Sequence, residues 1–200
     1  MSYQGAQLPE HNEQLLLPEY LKREFARHGF ESYYADSIVA ARLYLTSWLQ
    51  QRDIHTFIGW PASDIGVAGF AEAVAEVGIQ WEVPQKERWW ANDYGQPGKD
   101  TVALVRAHGA WLRRGALWFP WDNEHPLSVV VLPKQLIVVL FTSDIFFSWD
   151  EWLRRWHSSG RTAIPAGFFL SHTKRSYSLS GEPVWGISET TKVHLVLVAS

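Results

Sequence analysis

The chain contains no cysteine, and this absence removes a whole set of chemistries. Disulfides, cysteine-ligated zinc, iron–sulfur clusters and thiol nucleophiles all require the cysteine sulfur. Long hydrophobic runs are missing too, because the longest apolar stretch, Leu136 to Phe141, is too short to cross a bilayer and is soon followed by Asp144. We therefore expect no membrane segment, and the cysteine-free composition favours a cytoplasmic protein.

A strong excess of charge of one sign is also absent. The formal net charge of -3 and the pI of about 6.2 argue against attraction of nucleic acid by the whole surface, although a local basic groove stays open. Residues 1–15 are polar and resemble neither a secretory signal nor a transit peptide, so we predict a flexible N-terminal leader. Residues 16–200 have the size and the apolar content of a single globular domain.

Hydrophobic periodicity predicts helices mainly in the first half of the chain and strands mainly in the second. The predicted helices cover residues 18–29, 36–50, 64–78, 100–114 and 144–157. The predicted strands cover residues 55–60, 79–83, 116–121, 127–132, 135–141, 163–170, 175–180, 183–187 and 192–198. This order indicates an α+β domain with a mixed or largely antiparallel sheet of about six to eight strands and four to five helices, rather than a doubly wound sheet.

The helix over residues 36–50 shows the clearest details. Asp36 is its predicted N-cap, and Trp48 lies on its apolar face. Arg42 falls outside that face and is predicted to point to solvent. In the last strand, His194 stands among apolar residues and is predicted to be a core or edge histidine.

Twelve tryptophans are the most unusual feature that the chain does have. Trp89 and Trp90 are adjacent in a loop-like segment that also carries Lys86 and Arg88. In a strand, one of two adjacent side chains faces inward, whereas in a loop both are free to meet solvent. We predict that Lys86, Arg88, Trp89 and Trp90 form a partner-binding surface.

The sequence Trp-Leu-Arg-Arg occurs twice, at residues 111–114 and 152–155. Tryptophan and arginine are enriched at protein-binding hot spots, and the same pair stacks on unpaired bases and contacts phosphates. A simpler interpretation places both copies at helix C-termini, where arginine complements the helix dipole and tryptophan packs inward. Arg113 and Arg114 are accordingly candidate contacts for an anion or for nucleic acid.

His172, Lys174 and Arg175 form a third candidate cluster, after the apolar run of residues 167–170. His172 and Lys174 would share one face of a strand and suit a phosphate, although an exposed basic strand end has the same pattern. The spacing resembles the start of the phospholipase-D-type nuclease motif. Leu179, however, stands where that motif requires aspartate, so the nuclease chemistry is not implied.

Asp122, Glu124 and His125 follow a predicted strand and end at a proline. These residue types suit an oxygen-rich metal site or an acid/base pair, but a polar turn looks the same. The chain has no phosphate loop, no dinucleotide fingerprint and no hydrolase serine elbow. We therefore predict neither a metal nor a cofactor.

Three classes of function follow from these patterns. The favoured one is a non-enzymatic, protein-binding regulatory or inhibitory factor of the immunity type, with a motif-free character typical of accessory proteins of bacterial plasmids and phages. The first alternative is a protein that binds or processes single-stranded nucleic acid. The second is a hydrolase whose site combines Asp122, Glu124, His125, His172 and Lys174. Another protein is thus the expected partner, with single-stranded nucleic acid as the alternative.

Overall fold

The computed structural model describes residues 13–52, 54, 56–59, 69–82, 101–107, 109–118, 135–158, 167–170, 175–178, 183–186 and 192–200. Residues 1–12, most of the predicted leader, lie outside this range, and the first helix already begins at Glu13. No helix in the described part of the chain is both long enough and apolar enough to span a bilayer.

The described residues include four α-helices. They are α1 (Glu13–Arg27), α2 (Ile38–Gln50), α3 (Phe70–Glu76) and α4 (Trp149–Ser158). Ser37, rather than the predicted Asp36, is the N-cap of α2, because its hydroxyl oxygen accepts a hydrogen bond from the backbone N–H of Ala40 at 3.1 Å. The helix α3 is shorter than predicted and starts only after Gly69, whose φ of 92° lies in the left-handed region.

The strands form two sheets of six strands each. In chain order they are β1 (Glu31–Ala35), β2 (Thr56–Gly59), β3 (Gln80–Glu82), β4 (Thr101–Arg106), β5 (Gly109–Trp111), β6 (Ala116–Trp118), β7 (Gln135–Phe141), β8 (Ile145–Phe146), β9 (Gly167–Leu170), β10 (Arg175–Ser178), β11 (Pro183–Gly186) and β12 (Lys192–Val198). The first sheet has the order β1-β12-β7-β4-β2-β3, and every neighbouring pair in it is parallel.

The second sheet has the order β11-β10-β9-β6-β5-β8. Its pairs are antiparallel except for the short parallel pair of β5 with β8. Its residues come from the connections between β4 and β7 and between β7 and β12. This sheet is therefore built from long insertions into the parallel sheet.

The parallel sheet is buried on both faces. In β7, Leu136, Val138 and Leu140 pack in a core with α1 and with residues of the second sheet, whereas Ile137 and Val139 pack in a core with α2 and α3. β12 alternates in the same way. Burial on both faces explains why both strands are continuous apolar runs in the sequence.

The presence of helices together with parallel and antiparallel strands agrees with the α+β expectation, but the single mixed or largely antiparallel sheet is not confirmed. The sheet that carries most of the core is wholly parallel, and only the second sheet is largely antiparallel. The predicted elements alternate between helix and strand from residue 36 to 83, the pattern typical of a parallel sheet, but two parallel strands were missed. β1 was not predicted, and β4 lies in a segment predicted as a helix.

The predicted helix over residues 100–114 is wrong. The segment forms β4, then β5, and then one turn of 3-10 helix over Leu112–Arg114. Val102 and Leu104 are two residues apart and are both fully buried beside α2 and α3, which is the spacing of a strand. The predicted helix 144–157 is confirmed only from Trp149, because Ile145 and Phe146 form β8.

Candidate functional site

Most of the residues predicted to bind a partner or an anion lie outside the described range. These are Lys86, Arg88, Trp89, Trp90, His172 and Lys174. The same holds for Asp122, Glu124 and His125, so the convergence that the hydrolase alternative requires stays untested. Arg175 is the first residue of β10, where it pairs with Leu170 of β9. Arg113 and Arg114 are fully described.

The two Trp-Leu-Arg-Arg segments meet in space. The ring of Trp111 lies 6.4 Å from that of Trp149, which in turn stacks at 4.7 Å on Trp152. Phe146 completes the group, at 6.5 Å from Trp111 and 5.9 Å from Trp152. The four rings therefore form one continuous aromatic cluster between β5, β8 and α4.

The pairing of β5 with β8 positions this cluster. Trp111 stands opposite Phe146 in that pair, and its indole N–H donates a hydrogen bond to the carbonyl of Phe147 at 3.2 Å. Gly109 provides the room, since a Cβ at this position would lie 3.0 Å from the Trp152 indole nitrogen and 3.2 Å from the Phe146 ring. Trp152 is buried at 3% exposure, whereas Trp111 and Trp149 are only half-buried. The buried ring thus supports two rings that reach the surface.

Two arginines follow Trp111 closely in the chain. Arg113 and Arg114 are exposed in the 3-10 turn, and the Arg114 guanidinium lies 5.6 Å from the centre of the Trp111 ring. Neither arginine forms an ion pair or a hydrogen bond with another described residue. We call Trp111, Arg113, Arg114 and Trp149 the Trp/Arg surface.

The turn that carries these arginines is held firmly to α1. Leu112 is buried in the core that includes α1, and Gly115 ends the turn with a φ of 58°. A Cβ on Gly115 would overlap the side chain of His28, at the end of α1, so the two segments are in close contact. The guanidinium groups consequently project from a fixed backbone.

The second Trp-Leu-Arg-Arg copy uses its arginines differently. Arg155 donates hydrogen bonds to the carbonyl of Ser143 at 2.6 Å and to that of Ile145 at 3.3 Å, and it pairs with Glu151 at 2.6 Å. Arg154 donates to the carbonyl of Asp150 at 3.3 Å. These arginines support the fold. The prediction that both copies lie at helix C-termini is wrong for residues 111–114, which form the end of β5 and the 3-10 turn.

A separate polar cluster surrounds His194 in β12. Its side chain is buried, and its Nε2 lies 2.8 Å from the hydroxyl oxygen of Tyr44. Its Nδ1 lies 3.7 Å from a carboxylate oxygen of Glu31 but forms no hydrogen bond. Burial lowers the pKa of His194, and it raises the pKa of Tyr44. Both effects favour the neutral forms, so this cluster is suited to stabilising the fold rather than to holding charge.

Sequence reasoning identified Arg113 and Arg114 but did not single out Trp149, whose ring lies beside that of Trp111. The repeated Trp-Leu-Arg-Arg tetrapeptide was the signal that could have pointed to Trp149, because the recurrence of one aromatic and basic pattern suggests that the two copies lie close together. Arg42 was also misjudged: instead of pointing freely to solvent, it is half-buried with its guanidinium against Gly69. Nothing in the local sequence of α2 indicates a contact with a residue 27 positions further along the chain.

Comparison with known proteins gives a likeness of fold alone. No family model matches the chain, and no curated protein matches it. Among solved structures, the chain is similar to a DUF162 family protein from Deinococcus radiodurans, with a TM-score of 0.52 and 9% sequence identity. The match covers 92% of this chain and 98% of that one, so the two share their overall architecture over nearly their full lengths.

Proposed function

We propose that the chain is a non-enzymatic, protein-binding regulatory or inhibitory factor of the cytoplasm, which contacts its partner through the Trp/Arg surface. The observation that carries this proposal is a pair of exposed arginines without described acidic partners, of which Arg114 lies beside the half-buried ring of Trp111, itself next to the half-buried ring of Trp149. Tryptophan and arginine are the residues most enriched at hot spots of protein interfaces.

The rigidity of the surface supports binding. Trp111 is fixed by its hydrogen bond to Phe147, and Trp149 is fixed by stacking on buried Trp152. Side chains that are already ordered lose less conformational entropy on association, so more of the contact energy contributes to affinity. The guanidinium groups of Arg113 and Arg114, which have no acidic partner among the described residues, call for carboxylates on the partner, since bidentate arginine–carboxylate pairs are strong and directional. An acidic protein surface is the partner of matching chemistry.

The proposal includes a role of the immunity type and an origin as an accessory protein of a bacterial plasmid or phage, which the absence of recognised motifs in the sequence suggests. An inhibitory factor of that kind needs a fixed contact surface and no catalytic group. The Trp/Arg surface meets the first requirement.

One feature of the same surface favours single-stranded nucleic acid as a second candidate. A guanidinium 5.6 Å from an indole ring places a phosphate contact beside a stacking platform. The net charge of -3 opposes this candidate, because binding of a polyanion depends on a basic surface.

Charge reversal at the exposed arginines tests the proposal. The partner is first captured from a cytoplasmic extract, identified and purified, and its affinity is then measured by calorimetry. Arg113→Glu with Arg114→Glu should weaken binding at least about thirtyfold, since the loss of even one hot-spot contact costs about 2 kcal/mol and a factor of ten corresponds to about 1.4 kcal/mol. Arg23→Glu with Arg27→Glu, a matched reversal of two exposed arginines on α1, should leave the affinity unchanged.

Three results would overturn the proposal. The first is equal weakening by both double variants, and the second is no effect of either. The third is tight binding of a single-stranded oligonucleotide that falls steeply with salt and is lost in the Arg113→Glu/Arg114→Glu variant, which would establish the nucleic-acid candidate instead.

A further inference from the structure

The helix α2 carries very little charge for a helix at the surface. Arg42 is the one Asp, Glu, Lys or Arg residue among the 13 residues of Ile38–Gln50, and its guanidinium lies against Gly69. By contrast, α1 contains six such residues and α4 contains four. Surface helices normally present charged side chains on the face opposite the core. The outer face of α2 therefore lacks the composition of an ordinary solvated surface.

Two large apolar side chains lie on this outer face. Val39 is 56% exposed and Leu43, one helical turn further on, is 68% exposed. Ser47 and Gln50, which are exposed as well, continue the same stripe. At about 100° per residue, the four positions fall within an arc of about 80°. The stripe is opposite the buried residues of α2, so it faces away from the parallel sheet.

The spacing of the exposed residues is symmetrical about Leu43. Val39 and Ser47 lie four residues before and after it, and Asp36 and Gln50 lie seven residues before and after it. A twofold axis that passes through Leu43, perpendicular to the helix, therefore places Leu43 against Leu43 of a second copy and Val39 opposite Ser47. In this arrangement a large side chain meets a small one, and the Gln50 amide faces the Asp36 carboxylate. The stripe is thus complementary to itself.

We propose that the outer face of α2 is the contact surface of a homodimer, in which two α2 helices pack antiparallel across a twofold axis at Leu43. A parallel pair would instead place Val39 against Val39, bring the two Asp36 carboxylates together and align the two helix dipoles. A second copy suits this face because one stripe supplies both the protruding and the small residues and requires no charged partner.

The size of the contact determines its strength. The outer face of a 13-residue helix is about 20 Å long and about 10 Å wide, roughly a quarter of the about 800 Å² per partner that a stable interface buries. We therefore expect a weak dimer, with a dissociation constant on the order of 0.1 mM. Dimerisation leaves the Trp/Arg surface free and does not depend on the protein-binding function, since α2 and the 3-10 turn pack on opposite faces of the parallel sheet.

Sedimentation equilibrium of the full chain between about 10 µM and about 1 mM measures the association. The mean mass should rise with concentration from 23.0 kDa towards twice that value. Leu43→Glu should raise the dissociation constant at least about tenfold, because it removes the apolar contact at the axis and brings two carboxylates together there. Ala26→Glu, which adds the same charge at an exposed position of α1, should leave the constant unchanged. Because both positions are exposed, both variants should keep the native circular dichroism spectrum.

Disulfide cross-linking tests the antiparallel register, because the chain has no cysteine of its own. A disulfide requires Cα atoms within about 7 Å of each other. Leu43→Cys should therefore form a covalent dimer under mild oxidation. Val39→Cys alone should not, because its two copies are about 12 Å apart along the helix axis in the antiparallel pair. A mixture of the Val39→Cys and Ser47→Cys variants should give the mixed dimer.

Three results would overturn the proposal. The first is a constant mass of 23.0 kDa up to about 1 mM, and the second is equal weakening by Leu43→Glu and Ala26→Glu. The third is cross-linking of Val39→Cys alone as efficient as that of Leu43→Cys, which would show a parallel or an unspecific contact.

Discussion

The hydroxyl oxygen of Tyr44 lies 2.8 Å from Nε2 of His194 and joins α2 to the parallel sheet through a buried polar contact. Tyr44 also stacks on Tyr33 of β1, with ring centres 3.5 Å apart and an angle of 2° between the planes. The Trp48 ring lies 5.5 Å from the imidazole, and the Arg52 guanidinium lies 4.1 Å from the centre of the Trp48 ring. One histidine thus anchors a group of side chains that fixes α2 against β1 and β12.

Acidification should destabilise the protein through His194. Burial lowers its pKa below the ordinary 6.5, and Arg52 adds to this effect while Glu31 opposes it. The unfolded chain therefore takes up the proton first as the pH falls. The stabilising contribution of neutral His194 is complete above pH 6.5 and is lost as the pH falls from 6.5 to the lower folded pKa.

Chemical denaturation at several pH values measures this contribution. Between the two pKa values, the free energy of unfolding should fall by up to about 1.4 kcal/mol per pH unit from this group. His194→Gln keeps a partner for Tyr44 but cannot titrate, so its free energy of unfolding should fall less steeply with decreasing pH, by up to this amount per pH unit. The same pH dependence of the free energy of unfolding in the two proteins would contradict the assignment to His194.

Removal of the Tyr44 hydroxyl should destabilise the fold. Tyr44→Phe keeps the ring stacked on Tyr33 but takes the partner from Nε2 of buried His194, at a cost of about 1–3 kcal/mol. Urea denaturation gives this value directly. The matched control is Tyr33→Phe, because the Tyr33 hydroxyl forms no hydrogen bond with a described residue while its ring forms the same stack. A loss as large in the control as in Tyr44→Phe would place the effect in the stacking and not in the hydrogen bond.

The parts of this fold that the sequence predicts are those with a clear local signal. The apolar run of β12 predicts its bounds correctly, and β7 is found equally well. β1 is missed because its residues, Glu-Ser-Tyr-Tyr-Ala, lack the apolar character of a buried strand and owe their place to the pairing with β12. Sheet order depends on such long-range pairing and has no local signal.

The candidate site shows the same division. Arg113 and Arg114 were singled out from their composition, and they are exposed. Their relation to Trp149 depends on the parallel pairing of β5 with the two-residue strand β8, which has no pattern of its own. Arg42 illustrates the reverse error, because helical periodicity places it on a polar face without showing that α3 covers part of this face.

Substitution of Gly115 should be destabilising for two separable reasons. Gly115→Ala places a Cβ at a φ of 58° and against the His28 side chain, so we expect a loss of about 1–3 kcal/mol in the free energy of unfolding. Gly29→Ala is the control for backbone strain alone, since its φ is 79° and no atom lies within 4 Å of the added Cβ. Its loss should be smaller, and His28→Ala should recover part of the loss in Gly115→Ala. Equal losses at Gly29 and Gly115 would show that the contact with His28 contributes nothing.

Truncation of the tryptophans in the aromatic cluster should separate support from recognition. Trp152→Ala leaves a cavity beneath Trp149 and Phe146 and should lower the free energy of unfolding by about 3–5 kcal/mol, as for other buried aromatic side chains. Trp149→Ala removes a half-buried ring and should cost clearly less stability. Thermal and urea denaturation compare the two, and partner affinity is then measured on the folded fraction of each variant. Because Trp149 belongs to the Trp/Arg surface while Trp152 lies beneath it, Trp149→Ala should weaken binding more than its small effect on stability explains. A Trp149→Ala variant with full affinity would confine recognition to Trp111 and the two arginines.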